Sequence, residues 1–501
     1  MKKFVVVILL ILADPMPGLS QGVGERIDEL VTAYFNNGTF SGAILVADKG
    51  KVIYKKAFGL ADLELEVPLS VDSRFKIASL SKPFTALAVL LLAEEGKIRL
   101  DGTIRDYIPW YPGPLGDSIT IHQLLTHTSG IRSNLDPQEE MVKQRLHHDP
   151  EELIRYAASA DLLFRPGTKF GYSNFAYNIL AYIVQTVTGQ PFAVVLKDRI
   201  FNPAGMKHTC QYDNSRIEEK LAQGYEYKLL YGYRNADFVD ASFTLGSGGL
   251  VSTVEDLYLF DRALRSGMLL NAKDLATSFN PNQPGNYGYG WFINQVNIPG
   301  QAAALLIADH AGSIDGFGAY MARVLNDSSF IVVLKNQRAD TYIDPAYAPE
   351  IGRQILSVLY GDQVIPPKKS IARHIACKIG NQCVDSALAE YYRVAASHSG
   401  QFNMEESELN KLGIELYFRF NRMDDALQVF RVNMEQFPQS YNTYDSYAYL
   451  LAQKGDHENA VQYYKKGLEV LTKYPQANEG ESVKKDAEKA RAYIRKMEGG
   501  R

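Results

Sequence analysis

Apolar and polar residues alternate on both sides of a short turn near the amino terminus. The stretch SGAILVADKGKVIYKKAFG, residues 41–59, shows this period of two before and after Asp48-Lys49-Gly50. A period of two is typical of strands, and a short turn containing glycine joins two of them into a hairpin. The pattern therefore predicts that an antiparallel sheet starts here.

The pattern then changes to that of a buried helix. Residues 79–95 include the nearly continuous apolar run PFTALAVLLLAEE, and Gly96 follows where a left-handed helix cap belongs. A helix that is apolar on most sides lies inside a protein. Pro83 lacks an amide donor and fits only the first turn of a helix, so we place the helix start near Ser79 or Leu80.

Short helical patterns broken by proline and glycine occupy residues 100–275, and strand patterns return after them. The strands are predicted at 288–296, 316–324 and 329–337, with Asn326-Asp327 as the hairpin turn between the last two. This order of strands, helices and strands predicts an α+β fold. We expect the strands before and after the helical patterns to form one antiparallel sheet flanked by helices, with the helical patterns between them as an inserted helical domain.

The last part of the chain is helical in pattern and contains a weak internal repeat. Three residue pairs are 34 positions apart: Leu416 and Leu450, Ala426 and Ala460, and Phe430 and Tyr464. This is the period of the tetratricopeptide repeat, which the stretches ALQVFRVNMEQFP and AVQYYKKGLEVLTKYP resemble.

These patterns divide the chain into a domain at 22–360, a linker at 361–370 and an all-α, tetratricopeptide-like module at 371–498. Two imperfect repeats are too few to stand alone, so we expect the module to pack on the preceding domain. It is either a peptide-binding groove for a protein partner or a cover for that domain.

Composition excludes some partners and indicates a compartment. The 53 basic and 57 acidic residues leave a net charge of −4, which gives no electrostatic reason to expect nucleic acid as a partner. Residues 1–20 resemble a signal peptide, with Lys2 and Lys3 before an apolar run at 4–13. A membrane span needs about 20 apolar residues, so we favour export and cleavage over an anchor and expect a periplasmic or secreted protein with no membrane span.

The chain has only three cysteines, Cys210, Cys377 and Cys383, so it is not a disulfide scaffold. Cys377 and Cys383 are close enough in sequence to form a disulfide, but two free thiols are equally compatible with the spacing.

The candidate chemistry begins with the pattern SxxK, which occurs at Ser73, Ser79 and Ser482. Ser482 lies on a charged helical surface, and Ser73 precedes a strand-like run in which side chains three apart point to opposite faces. Ser79 is different, because Lys82 shares its face at the amino end of a buried helix. A buried lysine with a lowered pKa could take the serine proton, although an ordinary helix-capping serine remains equally open from these residues alone.

Two further motifs follow in order, Tyr172-Ser173-Asn174 and His310-Ala311-Gly312. With these three motifs, residues 22–360 resemble the penicillin-recognising serine hydrolases. That family includes class C β-lactamases, DD-peptidases, D-aminopeptidases and related esterases. The resemblance implies a β-lactamase-like fold and catalysis through a covalent acyl-enzyme.

The resemblance also implies a role for each motif residue. Ser79 is the nucleophile and Lys82 its base, whereas Tyr172, hydrogen-bonded to the lysine, carries the proton to the leaving group. Asn174 holds the substrate amide or the lysine. The backbone amides of Ser79 and Ser313 form the oxyanion hole.

The third motif departs from the lysine found there in many β-lactamases and DD-peptidases. The motif has His310 in place of that lysine and ends at Gly312. A histidine has an ordinary pKa near 6.5, so His310 is expected to be largely neutral at pH 7. Strong selection for carboxylate-bearing substrates is therefore in doubt. We interpret the glycine-rich residues 246–249 as a flexible or close-packed turn near the cleft. His122 and His127 are wrongly spaced for a metal site on one helix face, so we expect neither metal nor cofactor.

The leading hypothesis is therefore an exported serine hydrolase that cleaves a peptide, amide, β-lactam or ester bond, with D-amino-acid or cell-wall compounds as candidate substrates. A small-chain esterase of the same fold is the first alternative. A catalytically weak binding module, whose helical repeats present a ligand to a protein partner, is the second.

Overall fold

The centre of the fold is a six-stranded antiparallel sheet. The structure, a computed structural model, describes residues 22–133, 137–280, 284–299, 303–339, 347–380 and 384–499. The strands are β1 (Gly42–Asp48), β2 (Lys51–Phe58), β3 (Phe292–Val296), β4 (Leu305–Ile314), β5 (Phe317–Val324) and β6 (Phe330–Lys335). Their order is β3-β4-β5-β6-β1-β2. Strand β1, from the amino-terminal end of the domain, therefore pairs with β6, from its other end, as the α+β prediction requires.

The predicted hairpin at residues 41–59 is confirmed. Lys49 and Gly50 connect β1 to β2, and both have positive φ angles, 47° and 82°. Two successive residues of this kind match the right-handed twist of the flanking strands. The hairpin starts the sheet where the sequence pattern placed it.

Side chains of β1 alternate between two apolar cores. Ala43, Leu45 and Ala47 belong to one core, and Ile44 and Val46 belong to the other. Because helices cover both faces of the sheet here, β1 is apolar from Ala43 to Ala47, and the alternation expected before the turn is absent.

The longest strand, β4, was missed by the strand patterns. It has ten residues, and most of them are buried on both faces, so its sequence LLIADHAGSI carries no clear alternation. The predicted strand at 288–296 is shorter, because residues 288–291 form a turn in which the Gly288 N–H donates to the Trp291 carbonyl.

Helices cover both faces of the sheet. One face carries α1 (Val23–Asn36) and α5 (Ala348–Leu359), and the other carries α2 (Lys82–Glu94), α3 (Asn174–Thr188) and α4 (Val254–Arg265). Gly96 follows α2 with φ 70°, in the left-handed cap predicted for it.

Short elements connect these layers. The shorter helices are Ile104–Tyr107, Gly113–Gly116, Ile121–Leu125, Pro137–Lys143, Pro150–Ala157, Phe192–Leu196, Asn202–Ala204 and Ala272–Ser278. The shorter strands are Leu60–Asp62, Val67–Pro68, Phe75–Lys76, Cys210–Gln211, Tyr225–Lys228, Gly232–Asn235, Leu250–Ser252 and Gln337–Ala339. All eight of these short helices lie between residues 100 and 278, where the inserted helical domain was expected.

The carboxy-terminal region is helical, as predicted. Its helices are α6 (Ile371–Ala376), α7 (Asp385–Ser397), α8 (Glu406–Phe418), α9 (Met423–Gln436), α10 (Tyr441–Lys454), α11 (His457–Lys473) and α12 (Glu481–Glu498). The repeat positions are buried between antiparallel helices, and Gly413 of α8 lets the Phe430 ring of α9 pack against its backbone. Two helix pairs thus follow the 34-residue period.

The helical region packs on the preceding domain. Leu229 of the domain is buried in the same apolar cluster as Ile371 and Ile375. The N–H of Leu229 also donates to Glu415 at 2.8 Å. Two residues of the predicted linker, Lys369–Ser370, form a strand that pairs with Phe402–Asn403. The connection is therefore more ordered than a linker pattern indicates.

Three sequence expectations concern export and cysteines. The predicted signal peptide at 1–20 and Cys383 lie outside the described residues. Cys210 and Cys377 are free thiols. Within the described ranges no single helix is long and apolar enough to cross a membrane, whereas the bent pair Asn174–Thr188 and Phe192–Ala204 passes by length and composition alone.

Candidate active site

Ser79 lies in a tight turn that runs directly into α2. Residues Ala78–Ser81 form one 3-10 turn, and the α-helix begins at Lys82 with Pro83 in its first turn. Ala78, just before the serine, has φ 48°, in the left-handed region that non-glycine residues rarely adopt. Such backbone strain concentrates at functional sites. Ser79 therefore sits at the amino end of a buried helix, as predicted.

Lys82 is fully buried and its amine is held by three oxygens. The Nζ atom lies 2.9 Å from Ser79 Oγ, 2.9 Å from Asn174 Oδ1 and 2.8 Å from the Ser247 carbonyl oxygen. Burial lowers the pKa of Lys82 well below its ordinary value. A neutral amine has two N–H groups and one lone pair. Because the two carbonyl-type oxygens only accept, they take the N–H groups and turn the lone pair toward Ser79.

Helix α3 positions Asn174. Ser173 caps this helix, with its Oγ accepting the Ala176 N–H at 3.1 Å, and Asn174 is the first helical residue. His127 holds the preceding backbone, because its Nδ1 accepts the Ser173 N–H and its carbonyl oxygen accepts the Gly171 N–H. The second motif is thereby fixed on both sides of Tyr172.

Tyr172 differs from the arrangement that the resemblance implied. Its ring lies under the amine, with Lys82 Nζ 4.7 Å from the ring centroid, and its hydroxyl faces the Ser79 side chain. The two N–H groups of the neutral amine are already taken by Asn174 and Ser247, which leaves none for the phenol. Burial raises the pKa of Tyr172 far above neutrality, so its hydroxyl keeps its proton beside the serine.

His310 is neutral and both of its ring nitrogens are occupied. Its Nδ1 donates to the Ala311 carbonyl at 2.7 Å, and its Nε2 accepts from the Tyr287 hydroxyl at 3.0 Å. Burial, together with the nearby Lys82, lowers the pKa of His310 to about 3. The expected neutral histidine is therefore present, and it has no free polar atom for a substrate carboxylate.

Gly312 brings β4 against the serine turn. A Cβ at this position would lie 2.3 Å from the Ile77 carbonyl oxygen and 3.1 Å from the Ser79 backbone nitrogen. Only glycine allows so close an approach. The pairing of β3 with β4 ends where Phe292 lies opposite Asp309. Beyond that point, this edge of β4 faces the turn that contains Ser79 rather than another strand.

One cavity of about 510 Å³ joins the predicted motifs. Its walls include Ser79, Tyr172, His310, Gly312 and Ser313, whereas Lys82 and Asn174 lie directly behind Ser79. The volume falls in the range of small-molecule sites. The structure thus assembles all seven candidate residues, which come from three distant parts of the chain.

The other SxxK matches do not form such a pair. Ser73 is buried and accepts the Ser70 N–H, whereas the Lys76 ammonium pairs with Asp315 at 2.6 Å. Ser482 is exposed on α12. Only Ser79 has a lysine amine within hydrogen-bonding distance among the three.

Sequence reasoning missed four residues of the site. The Ser247 carbonyl lies in the glycine-rich turn that was placed near the cleft, which was the available signal. His127 was considered only as a metal ligand, and Tyr287 had no local signal at all. Arg353, on α5, lines the cavity beside Asp309 and carries a positive charge that no sequence motif indicated.

Comparison with known proteins identifies the family. The Beta-lactamase family profile matches residues 26–351, which is more than half of the chain. The chain belongs to the β-lactamase family. It is a serine hydrolase of that family, as the motifs predicted.

Its relatives in the β-lactamase family carry several names. Penicillin-binding protein 4* of Bacillus subtilis (strain 168) is 28% identical over 398 residues, covering 75% of this chain and 83% of that protein. Esterase EstB of Burkholderia gladioli is 28% identical over 340 residues, covering 60% of this chain and 86% of that protein. The crystal structure of a penicillin-binding protein from Bacillus halodurans aligns with TM-score 0.55 and 26% identity, covering 62% of this chain and 96% of that one.

Proposed function

We propose that this β-lactamase-family enzyme cleaves an amide, β-lactam or ester bond through a covalent acyl-enzyme on Ser79. The observation that carries the proposal is the buried amine of Lys82, 2.9 Å from Ser79 Oγ, with its pKa lowered by burial. A neutral amine at that distance is the base that a serine hydroxyl needs before it can attack a carbonyl.

The reaction follows from the positions of these groups. Ser79 Oγ attacks the substrate carbonyl carbon while its proton passes to Lys82. The negative charge on the carbonyl oxygen is stabilised by the backbone amides of Ser79 and Ser313, at the junction of α2 and β4. Tyr172, whose hydroxyl faces Ser79, gives its proton to the leaving group as that bond breaks, and the proton held by Lys82 then passes to the phenolate. A water molecule then releases the acyl group by the reverse sequence, which restores Ser79.

Two substrate classes fit this site. The similarity to a penicillin-binding protein supports peptides or amides that contain D-amino acids, including cell-wall fragments. The neutral, fully paired His310 supports small esters, because it gives no cation to a substrate carboxylate at the third motif, and the similarity to esterase EstB agrees. In the cavity Arg353 is placed to bind a carboxylate instead.

Export and the helical module belong to the same proposal. A signal peptide at residues 1–20 would direct the enzyme to the periplasm or out of the cell, where cell-wall substrates occur. The tetratricopeptide-like helices are the part of the chain that a protein partner would contact. A pure binding module is not supported, because binding alone gives no reason to bury a lysine amine against a serine hydroxyl.

Covalent labelling tests the proposal. We expect wild-type protein to be labelled by a fluorescent penicillin or a fluorophosphonate, and Ser79→Ala to lose all labelling. Ser73→Ala is the matched control, because it removes the serine of the overlapping SxxK pattern and should keep its label. Labelling that survives in Ser79→Ala, or disappears equally in Ser73→Ala, would contradict the assignment.

A further inference from the structure

A buried ion pair between Lys76 and Asp315 lies next to the turn that contains Ser79. Lys76 ends the short strand that leads into this turn, and Asp315 directly follows β4. Lys76 Nζ lies 2.6 Å from Asp315 Oδ2, and the two side chains are only 14% and 9% exposed. The pair joins segments that are 239 residues apart in the chain, and the reaction proposed above gives it no role.

Both members of the pair are fixed by their surroundings. The backbone of Lys76 pairs with Val251 in a short sheet, and its ammonium lies 4.4 Å from the centroid of the Tyr212 ring. Asp315 and Gly316 form the two-residue turn between β4 and β5, with φ angles of 46° and 78°. Asp-Gly suits this turn, because both positions need a positive φ. Each charge is therefore held rigidly on the backbone that carries it.

Lys76 is the hydrogen-bond partner that holds the Asp315 carboxylate. Asp315 Oδ2 accepts from Lys76, whereas Asp315 Oδ1 is buried and has no hydrogen-bond partner among the described residues. Burial raises the pKa of Asp315, while the charges of Lys76 and then Arg338 lower it. Apolar side chains of similar volume often stabilise a protein as well as a buried ion pair does. The position that this pair enforces explains it better than the stability that it adds.

The ion pair and Gly312 together fix β4 along the serine turn. A Cβ at Gly312 would lie 3.1 Å from the Ser79 backbone nitrogen, so this glycine sets how closely the strand approaches. At the end of the strand, the bond between Lys76 and Asp315 limits how far the strand moves away. Ser313, whose amide is the second proposed oxyanion donor, lies between these two contacts. One close contact and one ion pair therefore set the spacing of the two donors.

We propose that Lys76 and Asp315 are positioning residues that hold the backbone amides of Ser79 and Ser313 at the spacing that an oxyanion requires. The inference rests on the proposed acyl-enzyme function and gives a role to the lysine of the overlapping SxxK pattern. Neither side chain lines the active-site cavity, so both act through the backbone. Because the donors act on charge that develops in the transition state, their displacement lowers kcat more than it raises KM.

Two substitutions in the full-length chain remove the pair and keep the local shape. Lys76→Met keeps an unbranched side chain without the charge, and Asp315→Asn keeps a residue type that tolerates positive φ. With p-nitrophenyl acetate we expect each to lower kcat about 10- to 100-fold and to change KM less than about threefold. The double variant should lose no more than the less active single variant, because both changes remove the same interaction.

A rescue variant and a matched control separate positioning from general destabilisation. Lys76→Arg keeps a cation beside Asp315 and should stay within about threefold of the wild-type kcat. Arg74→Met breaks a similarly buried pair in the same segment, Arg74 with Glu218 at 2.8 Å, and should lower Tm without lowering kcat. The inference is overturned if Lys76→Met behaves like Arg74→Met, or if Lys76→Arg is as slow as Lys76→Met.

Serine amide signals distinguish failure of the inference from failure of the proposed function. In chains labelled with ¹⁵N-serine, we expect the Ser79 and Ser313 amide resonances to move in Lys76→Met, to return in Lys76→Arg and to stay in place in Arg74→Met. This pattern without ester turnover by wild type would reject the acyl-enzyme and keep the positioning role. Wild-type turnover with unmoved resonances in Lys76→Met would reject the positioning role and keep the enzyme.

Discussion

Two opposing effects act on the pKa of the Lys82 amine. Removal from water favours the neutral form, whereas two carbonyl-type oxygens favour the charged one. Within the described residues, no carboxylate contacts Nζ, and desolvation sets the direction of the shift in pKa. Lys82 is thus suited to accept a proton at a pH where an exposed lysine cannot.

The pH dependence of turnover follows from the lowered pKa of Lys82. We expect kcat/KM for a short ester to rise with pH as Lys82 loses its proton and to level off well below 10.5, the ordinary lysine pKa. Lys82→Arg, which stays charged, should lower kcat/KM roughly 10²- to 10⁴-fold. Lys76→Arg keeps its cation beside Asp315 and is the control. A profile that rises only near pH 10.5 would contradict the role of Lys82.

The neutrality of His310 gives a second test at the residue scale. Its pKa of about 3 predicts no protonation between pH 8 and about 4.5. We expect its side-chain ¹⁵N resonances to stay constant over that range, with the proton on Nδ1. The His310→Asn variant assigns the signals among the nine histidines. Titration near pH 6.5 would show that the imidazole is open to water or to a carboxylate.

Two elements meet at the nucleophile, and their contact depends on one glycine. Helix α2 presents Ser79 from one side, while β4 passes the same turn from the other side with Gly312 against it. Local pattern predicted α2 well, because a buried helix with Pro83 and Gly96 at its ends has a strong signature. It missed β4, because a strand covered on both faces has no alternation.

Replacing Gly312 tests this contact. The new Cβ of Gly312→Ala would lie 2.3 Å from the Ile77 carbonyl, so β4 must move away from Ser79. We expect kcat/KM to fall about 100-fold or more, as when an oxyanion-hole donor is lost. Gly318→Ala on β5 is the control, because a Cβ there has no neighbour closer than 3.8 Å. Equal activity of the two variants would exclude Gly312 from a role in placing the donors.

At the scale of the whole molecule, the helical module and the hydrolase domain share a buried interface. Glu415 of α8 accepts the Leu229 N–H across it, inside an apolar cluster. Burial raises the pKa of Glu415 from 4.5 to about 6. The folded chain therefore holds this proton more tightly than the unfolded chain. The resulting stabilisation is complete below pH 4.5 and is lost as the pH rises through about 6.

The substitution Glu415→Gln removes this pH-dependent contribution of Glu415 to stability. Glutamine still accepts the Leu229 N–H but carries no charge. We expect the Tm of the variant, relative to wild type, to be higher near pH 7.5 than near pH 4.5, measured by thermal unfolding at both values. Glu435→Gln, an exposed change on α9, should show no such difference between the two pH values. A constant offset for Glu415→Gln would mean that the carboxyl is solvated at the interface.

The sequence by itself determined the hairpin, the buried helix and the order of the three motifs, because each depends on neighbours along the chain. The SRFKIASLSKPFTA stretch even separated Ser79 from Ser73, since Pro83 places the helix start. Only the tertiary structure decided the partners of Lys82, which lie 92 and 165 residues away. It also paired His310 with Tyr287 and brought Gly312 against the Ser79 backbone. Such contacts arise from packing of distant segments, which no local pattern encodes.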